Sequence, residues 1–519
     1  MTVMLAQQPP AATSGRAARA GALFAALVLL AALGTGVIVG QLASGSTPVL
    51  AVLVPVLLLP VLLWQRPDLG VLILLGAVVT IEQFDYEVGP RSGTVTAKIP
   101  FFHSVAPGSG ITLAELFLAL IVIFWIMQSV RAGAPLLPRS PLSRSIFALA
   151  GLAVLYLLVG AGRNGDVTMA LWEIRPFVYL AVTYVLASSL LTTTRAIRAM
   201  LWIFVVGSGV KAVYAVTIWW AVRSLQPRPE AVVAHEESFF FGLFIFLTLA
   251  LWIFGQRGRL RTVATVLFPV VLSADMCNSR RTAWAILMIG GVVLAVVAYV
   301  RLPSRRRVLR RLAVVTALIS SVYFPVYWHH DGTLAQPARA VRSVIAPDAR
   351  DEQSNQYRFV ENANLALSIQ MHKSTGSGFG IPIVYAIPMV DLRSQNSSIA
   401  YIPHNTVLWV WMRMGVLGEV LFWLVIAQAI IAACRLSRAP DRESALFGAL
   451  VTCAVIAYVI LGNQDLGLFW FRIALCVGIL LGAVEGRLRS LREKRLDVGG
   501  PETRARTVLV PSTAAGVQS

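Results

Sequence analysis

Residues 404–418 read HNTVLWVWMRMGVLG. A His-Asn pair opens the segment, and behind it the chain stays apolar for about 30 residues, enough to cross a bilayer. The residues before it, 329–403, are rich in polar and charged side chains. Position 404 is therefore a seam at which a long hydrophilic loop re-enters an apolar chain. Ionisable groups at such seams are costly, so a use for the imidazole is expected.

The apolar character extends outward from this seam over most of the 519 residues. Hydrophobic residues make up 57% of the chain and charged residues 13%, against an apolar share of about 45–50% in soluble globules. The expectation is an all-α, polytopic membrane protein. Apolar runs near 21–41, 47–64, 69–82, 111–130, 145–162, 175–191, 199–222, 238–254, 261–277, 283–300, 311–328, 404–434, 445–462 and 467–486 predict about 14 transmembrane helices. The run at 21–41 is too long for a signal-peptide core and lacks a cleavage site, so it reads as a retained span.

The formal net charge of +19 does not point to nucleic acid. That reading needs basic residues gathered on one exposed soluble face, and here they fall in short linkers between apolar runs. With the N-terminus inside and sides alternating, about 27 Lys and Arg lie on inner segments and about 14 on outer ones. This places both termini in the cytoplasm and the protein in the cytoplasmic membrane. The expected organisation is a cytoplasmic tail over 1–20, spans 1–11 over 21–328, a large extracytoplasmic loop over 329–403, spans 12–14 over 404–486, and a basic tail over 487–519. About forty of the basic residues are Arg, a composition expected of a GC-rich bacterial genome.

Four cysteines, Cys277, Cys434, Cys453 and Cys476, lie in or beside apolar runs without metal-like spacing. They read as buried small hydrophobes. His329, His330 and Asp331 are adjacent but lack a third ligand at a familiar spacing, so no metal site is expected. No cofactor motif is present, and neither is a Gly-rich nucleotide loop.

The long loop carries the chemistry. Residues 354–372, SNQYRFVENANLALSIQMH, predict an amphipathic helix with Phe359, Ala363, Leu365, Ala366 and Ile369 on its apolar stripe. A Gly-x-Gly-x-Gly turn follows at Gly376, Gly378 and Gly380, and then His404. In this order, Arg358, Gly378, Gly380, His404, Asn405, Leu408, Gly415 and Gly418 resemble the signature of the O-antigen ligase and O-antigen polymerase superfamily, which are integral-membrane glycosyltransferases. The specific part of the resemblance covers about 354–418. Family members commonly carry a Trp one turn after the loop arginine, where this chain has Asn362, and the ligases have about twelve spans.

The resemblance implies transfer of a glycan from a polyprenyl-diphosphate carrier to an acceptor hydroxyl at the outer face of the membrane, without a metal. Such chemistry needs cationic groups for the diphosphate and a base for the hydroxyl. His404 fits the base, or it is a helix-start residue bonded to backbone. Asn405 orients the imidazole or caps the helix. Arg280 and Arg281, in NSRRTAW, follow the ninth span on the outer side; they form a diphosphate clamp or meet lipid headgroups. Arg175, in EIRPFVYL, is a second phosphate ligand or a structural partner of Glu173. Arg358 binds substrate or only solubilises the loop helix.

Lys211, near the middle of a span, requires a partner or a wet cavity. Arg413 and Arg472 line the same cavity or snorkel, with Asp465 a possible partner. His235, beside Glu236 and Glu237, stands near a span mouth where it could touch a sugar. The expected partners are the lipid-linked donor, a glycan acceptor and membrane lipid. Two other classes remain open: a transporter or flippase, which should show matching intramembrane charges in two halves, and a scaffold whose loop binds a partner.

Overall fold

The computed structural model describes residues 59–84, 88, 96, 99–104, 110–225, 229, 231–390, 397–465, 467 and 470–498. The expected span over 21–41, most of that over 47–64, the tail over 1–20 and residues 499–519 lie outside the described residues, whereas the start of the expected basic tail, 487–498, is helical. The secondary structure is helical, with an isolated β-bridge between Ser104 and Thr112.

The helices are α1 (Pro67–Thr80), α2 (Leu113–Arg131), α3 (Pro141–Gly162), α4 (Val167–Leu190), α5 (Thr194–Val222), α6 (Glu237–Ile253), α7 (Arg259–Cys277), α8 (Arg281–Arg301), α9 (Arg306–Tyr327), α10 (Gln336–Ile345), α11 (Ala349–Met371), α12 (Thr406–Leu436), α13 (Arg442–Gln464) and α14 (Phe471–Val498). Every apolar run from residue 69 onward coincides with one of them. Among the described residues, nine helices are long and apolar enough to cross a membrane: α2 to α5, α7 to α9, α12 and α13. Helices α1 and α6 are apolar but shorter, and α14 is interrupted by Arg472, Glu485 and Arg487. The chain is thus an all-α polytopic membrane protein.

Two compact units divide the chain, residues 1–70 with 116–134, and residues 71–115 with 135–519. In the first, the Trp64 indole meets the Phe124 ring edge-on at 6.0 Å, and the Arg131 guanidinium lies over the same indole at 5.1 Å.

The second unit holds all the site residues expected from the sequence. Its most extensive helix pair is α14 against α4. The reason lies in Gly478, Gly482 and Gly486, one turn apart. A methyl group on Gly482 would fall 2.4 Å from the Tyr184 carbonyl oxygen, and one on Gly486 2.6 Å from that of Ser188. Small residues at four-residue spacing let membrane helices approach backbone to backbone, where dispersion contacts are densest.

Helix α12 is broken at Gly415, whose φ of 63° and ψ of −167° are not helical. The break strands carbonyls that would otherwise bond along the helix. The Gly-x-Gly-x-Gly turn fills the gap: Ser377 N–H donates to the Met412 carbonyl at 2.8 Å and Gly378 N–H to that of Arg413 at 3.0 Å. Side chains cannot fit here, because a methyl group on Gly376 would meet the Arg413 oxygen at 2.4 Å and one on Gly415 the Ser374 oxygen at 2.3 Å. Phe379 N–H then donates to the Tyr156 carbonyl at 3.2 Å, and Asp166 N–H to that of Gly380 at 2.8 Å. The turn is thereby wedged between α12 and the α3–α4 junction.

Arg413 and Glu173 lock the wedge. Both are fully buried, and their side chains pair at 2.6 Å. The guanidinium also donates to the carbonyls of Ile381 at 2.5 Å and Tyr401 at 2.8 Å. Glu173 in turn accepts from Gly380 N–H at 2.5 Å and from the Trp409 indole at 3.1 Å. Arg413 therefore does not snorkel.

Candidate functional site

The site is built on one face of α11. Asp348 starts the helix as its N-cap, its side chain accepting from Asp351 N–H at 2.8 Å. That hydrogen bond, with the nearby charges of Arg339 and Arg342, holds the Asp348 carboxyl below the usual range against a small opposing effect of burial. Residues three and four apart share a helix face. The buried face of α11 accordingly carries Asp351, Ser354, Arg358 and Glu361 in its first half, and Leu365 and Ile369 in its second. The apolar stripe read from sequence is corrected in two respects: Phe359 points outward and is 70% exposed, and Ala366 is exposed as well. In the first half of the helix it is the polar row that takes the inward face.

His404 meets the end of this row. Its Nδ1 lies 3.0 Å from Glu361 Oε1 and 3.1 Å from Oε2, and its backbone N–H donates to the same carboxylate at 3.2 Å. A carboxylate only accepts, so Nδ1 carries a proton here, and in the neutral ring Nε2 would hold the lone pair. Glu361 is buried while the His404 side chain retains 23% of its surface. The Tyr357 ring stands perpendicular to the imidazole at 5.8 Å. Asn405 serves as N-cap of α12, accepting from Leu408 N–H at 3.1 Å.

A second histidine–carboxylate pair adjoins the first. His235 Nδ1 bonds Asp465 Oδ2, and Arg358 donates to the neighbouring Gln464 carbonyl. Burial alone would raise the Asp465 carboxyl, but the contact with His235 and the nearby Arg358 guanidinium hold it well below the usual range, and His404 is close enough to act on it when protonated. Arg358, His404, His235, Glu361 and Asp465 thus form one electrostatically connected cluster. Asp465 partners His235 rather than Arg413 or Arg472.

The remaining arginines separate. Arg281, the first residue of α8, donates to Asn355 Oδ1 at 3.0 Å and to Ser354 Oγ at 2.9 Å, one turn before Arg358 on α11. Its charge and that of Arg358 are close enough to repel. Arg280 is the N-cap residue of α8 and follows Ser279, which has a positive φ of 49°. Arg175 stands apart from this row: it pairs with Glu115 at 3.1 Å, donates to the Gly110 carbonyl and lies over the Trp172 ring at 4.5 Å. Glu173, its expected structural partner, belongs to Arg413.

Deeper in the spans, Lys211 pairs with Glu82 and lies 3.5 Å from Glu237. Arg472 bridges Glu236 at 3.0 Å and Glu237 at 2.6 Å, and also donates to the Val78 carbonyl at 2.8 Å. All five side chains are buried. The intramembrane lysine therefore has the partners its position demands, and Glu236 and Glu237 serve Arg472.

Sequence reasoning paired Arg358 with His404 but missed Glu361 and the His235–Asp465 bond. Glu361 had a detectable signal, three residues after Arg358 on the same helix face. Asp465 had none, since 230 residues separate it from His235. Among the described residues, no three His, Cys, Asp or Glu side chains group so as to hold a metal ion. Compared with known proteins, the chain matches no protein-family model and no curated sequence.

Proposed function

We propose that this protein is a membrane glycosyltransferase that moves a glycan from a polyprenyl-diphosphate carrier to an acceptor hydroxyl at the outer face of the cytoplasmic membrane. The reading rests on the resemblance of residues 354–418 to the O-antigen ligases and polymerases. The observation that carries it is the His404–Glu361 pair standing beside Arg358 on one helix face.

In this mechanism Nε2 of His404 takes the proton of the acceptor hydroxyl as its oxygen attacks the anomeric carbon. The bond from that carbon to the diphosphate oxygen breaks, and the electron pair leaves with the phosphate. Glu361 holds the imidazole in the required tautomer and stabilises the imidazolium that forms. Arg358, with the charge of Arg281 and Arg280 behind it, faces the departing diphosphate. Attack opposite the leaving group inverts the anomeric centre. Ligation to a foreign acceptor and polymerisation of repeat units share these steps.

The test uses the full chain in lipid with a polyprenyl-diphosphate oligosaccharide and a glycan acceptor. His404→Ala is expected to lower product formation by about 10²–10⁴-fold, the usual contribution of a positioned base. Undiminished product from that variant would remove the base from the mechanism. Absence of product from the parent with every donor, together with donor translocation, would instead favour a flippase. The buried Lys211–Glu82 and Arg472–Glu237 contacts already give the intramembrane charges a structural use, which weakens that second reading.

A further inference from the structure

A polar cavity of about 250 Å³ lies at the start of the α11 row, lined by Arg281, Arg339, Arg350, Asp331, Asp351 and Trp219 among others. Five separate parts of the chain build it: the end of α5, Pro229 in the α5–α6 connection, the α7–α8 junction, the segment from Asp331 into α10, and the first turns of α11. Its charges alternate. Asp351 sits between Arg281 at 3.7 Å and Arg339 at 3.8 Å, and Asp331 pairs with Arg342 at 2.6 Å.

This wall of mixed charge suits a sugar. Its two carboxylates are each paired with guanidinium groups, and sugar hydroxyls both donate and accept, so they can answer carboxylates and guanidinium groups in turn. An indole supplies the apolar surface on which the C–H face of a pyranose packs. A second observation points the same way. Asp351 is buried, and its Oδ2 has no hydrogen-bond donor among the described residues, a deficit that natural structures rarely leave unanswered.

The geometry points to a carbohydrate subsite in this cavity, holding a sugar unit of the glycan remote from the reacting one. The spacing fits. Asp351 and Glu361 are ten residues apart on α11, so the cavity wall and the His404 partner are separated by roughly 15 Å along the helix axis. A short glycan can thus have one unit in the cavity and another near the imidazole, with Arg358 left to the diphosphate. This inference deepens the transferase reading and rests on it for the source of the sugar.

Calorimetric titration of the full chain in lipid nanodiscs tests it, with trisaccharides of glucose, galactose, mannose and galacturonic acid as probes and inorganic diphosphate as the competitor. At least one trisaccharide is expected to bind. Trp219→Ala and Asp351→Asn each weaken that binding tenfold or more, while Phe359→Ala, on the exposed face of α11, leaves it unchanged. Arg339→Gln, at the cavity wall, serves as a second polar variant, and circular dichroism checks that each protein is folded. Failure of all four trisaccharides, displacement of a bound trisaccharide by diphosphate, or full binding by the folded Trp219 and Asp351 variants would overturn the proposal. A protein that binds sugar but transfers none loses the transferase reading and keeps the cavity. One that transfers glycan with its cavity variants unaffected loses only the inference.

Discussion

The Nδ1 of His404 is committed to Glu361, and this single contact decides which face of the ring can do chemistry. A base needs its free nitrogen aimed at the reacting hydroxyl, so the carboxylate matters through orientation more than through charge alone. Glu361→Gln keeps the shape and offers an amide oxygen to Nδ1, but it loses the charge that stabilises the imidazolium. Turnover in the reconstituted assay is expected to fall by about tenfold or more, with the KM for the lipid-linked donor little changed. A change confined to KM would show that Glu361 serves binding instead. The histidine was legible because it stood at a polar-to-apolar seam. Its partner was partly legible from helix spacing. Arg175 was read from its place at a helix mouth, and the structure commits it to Glu115 and Trp172, contacts that no local pattern signals.

At the scale of elements, α11 and the broken α12 set the site, and each can be tested alone. Asp348→Ala removes the N-cap of α11 and is expected to cost about 1 kcal/mol. The sign of its pH dependence follows from the lowered native carboxyl. The cap contributes fully above the unfolded Asp range near about 3.9, and its contribution is lost as pH falls through the lower native value. Thermal unfolding of parent and variant should therefore differ at neutral pH and converge in strong acid; an equal gap at every pH would remove the cap from the account. Gly415→Ala forces a side chain into the left-handed region and against the Ser374 carbonyl. It is expected to cost about 1–3 kcal/mol, seen as a lower melting temperature in detergent. Sequence reading located the apolar helices from residue 69 onward because hydropathy reports apolar character directly, although among the described residues only nine of them are long and apolar enough to cross a membrane. It read α12 as one continuous span, since a lone glycine in an apolar run does not announce a break.

Across the second unit, long-range ion pairs decide how helices register. Glu173 and Arg413 are 240 residues apart and wholly buried, so removing either leaves its partner charged and dry. Glu173→Ala or Arg413→Ala is expected to cost about 3–5 kcal/mol, whereas a double replacement by Leu and Met leaves no orphan charge and costs less. Membrane yield and thermal stability of the three variants provide the measurement; a double variant worse than both singles would refute the pairing. The composition made the all-α membrane class legible from the outset. Partner assignment was not, because Lys211, Arg413 and Arg472 each had several carboxylates at plausible depth, and only the packing of α4, α6, α12 and α14 selects among them.

The interruption of α12 binds the fates of two segments that homologous exchange would treat as separable. The Met412 and Arg413 carbonyls find their donors in the turn at Ser377 and Gly378, not along their own helix. Grafting a foreign loop between α9 and α12 therefore exposes those oxygens to hydrocarbon unless the transplant also carries its own span down past Gly415. A chimera designed to swap specificity must place its splice junction inside the lipid-embedded half of α12, never at the visible margin of the loop.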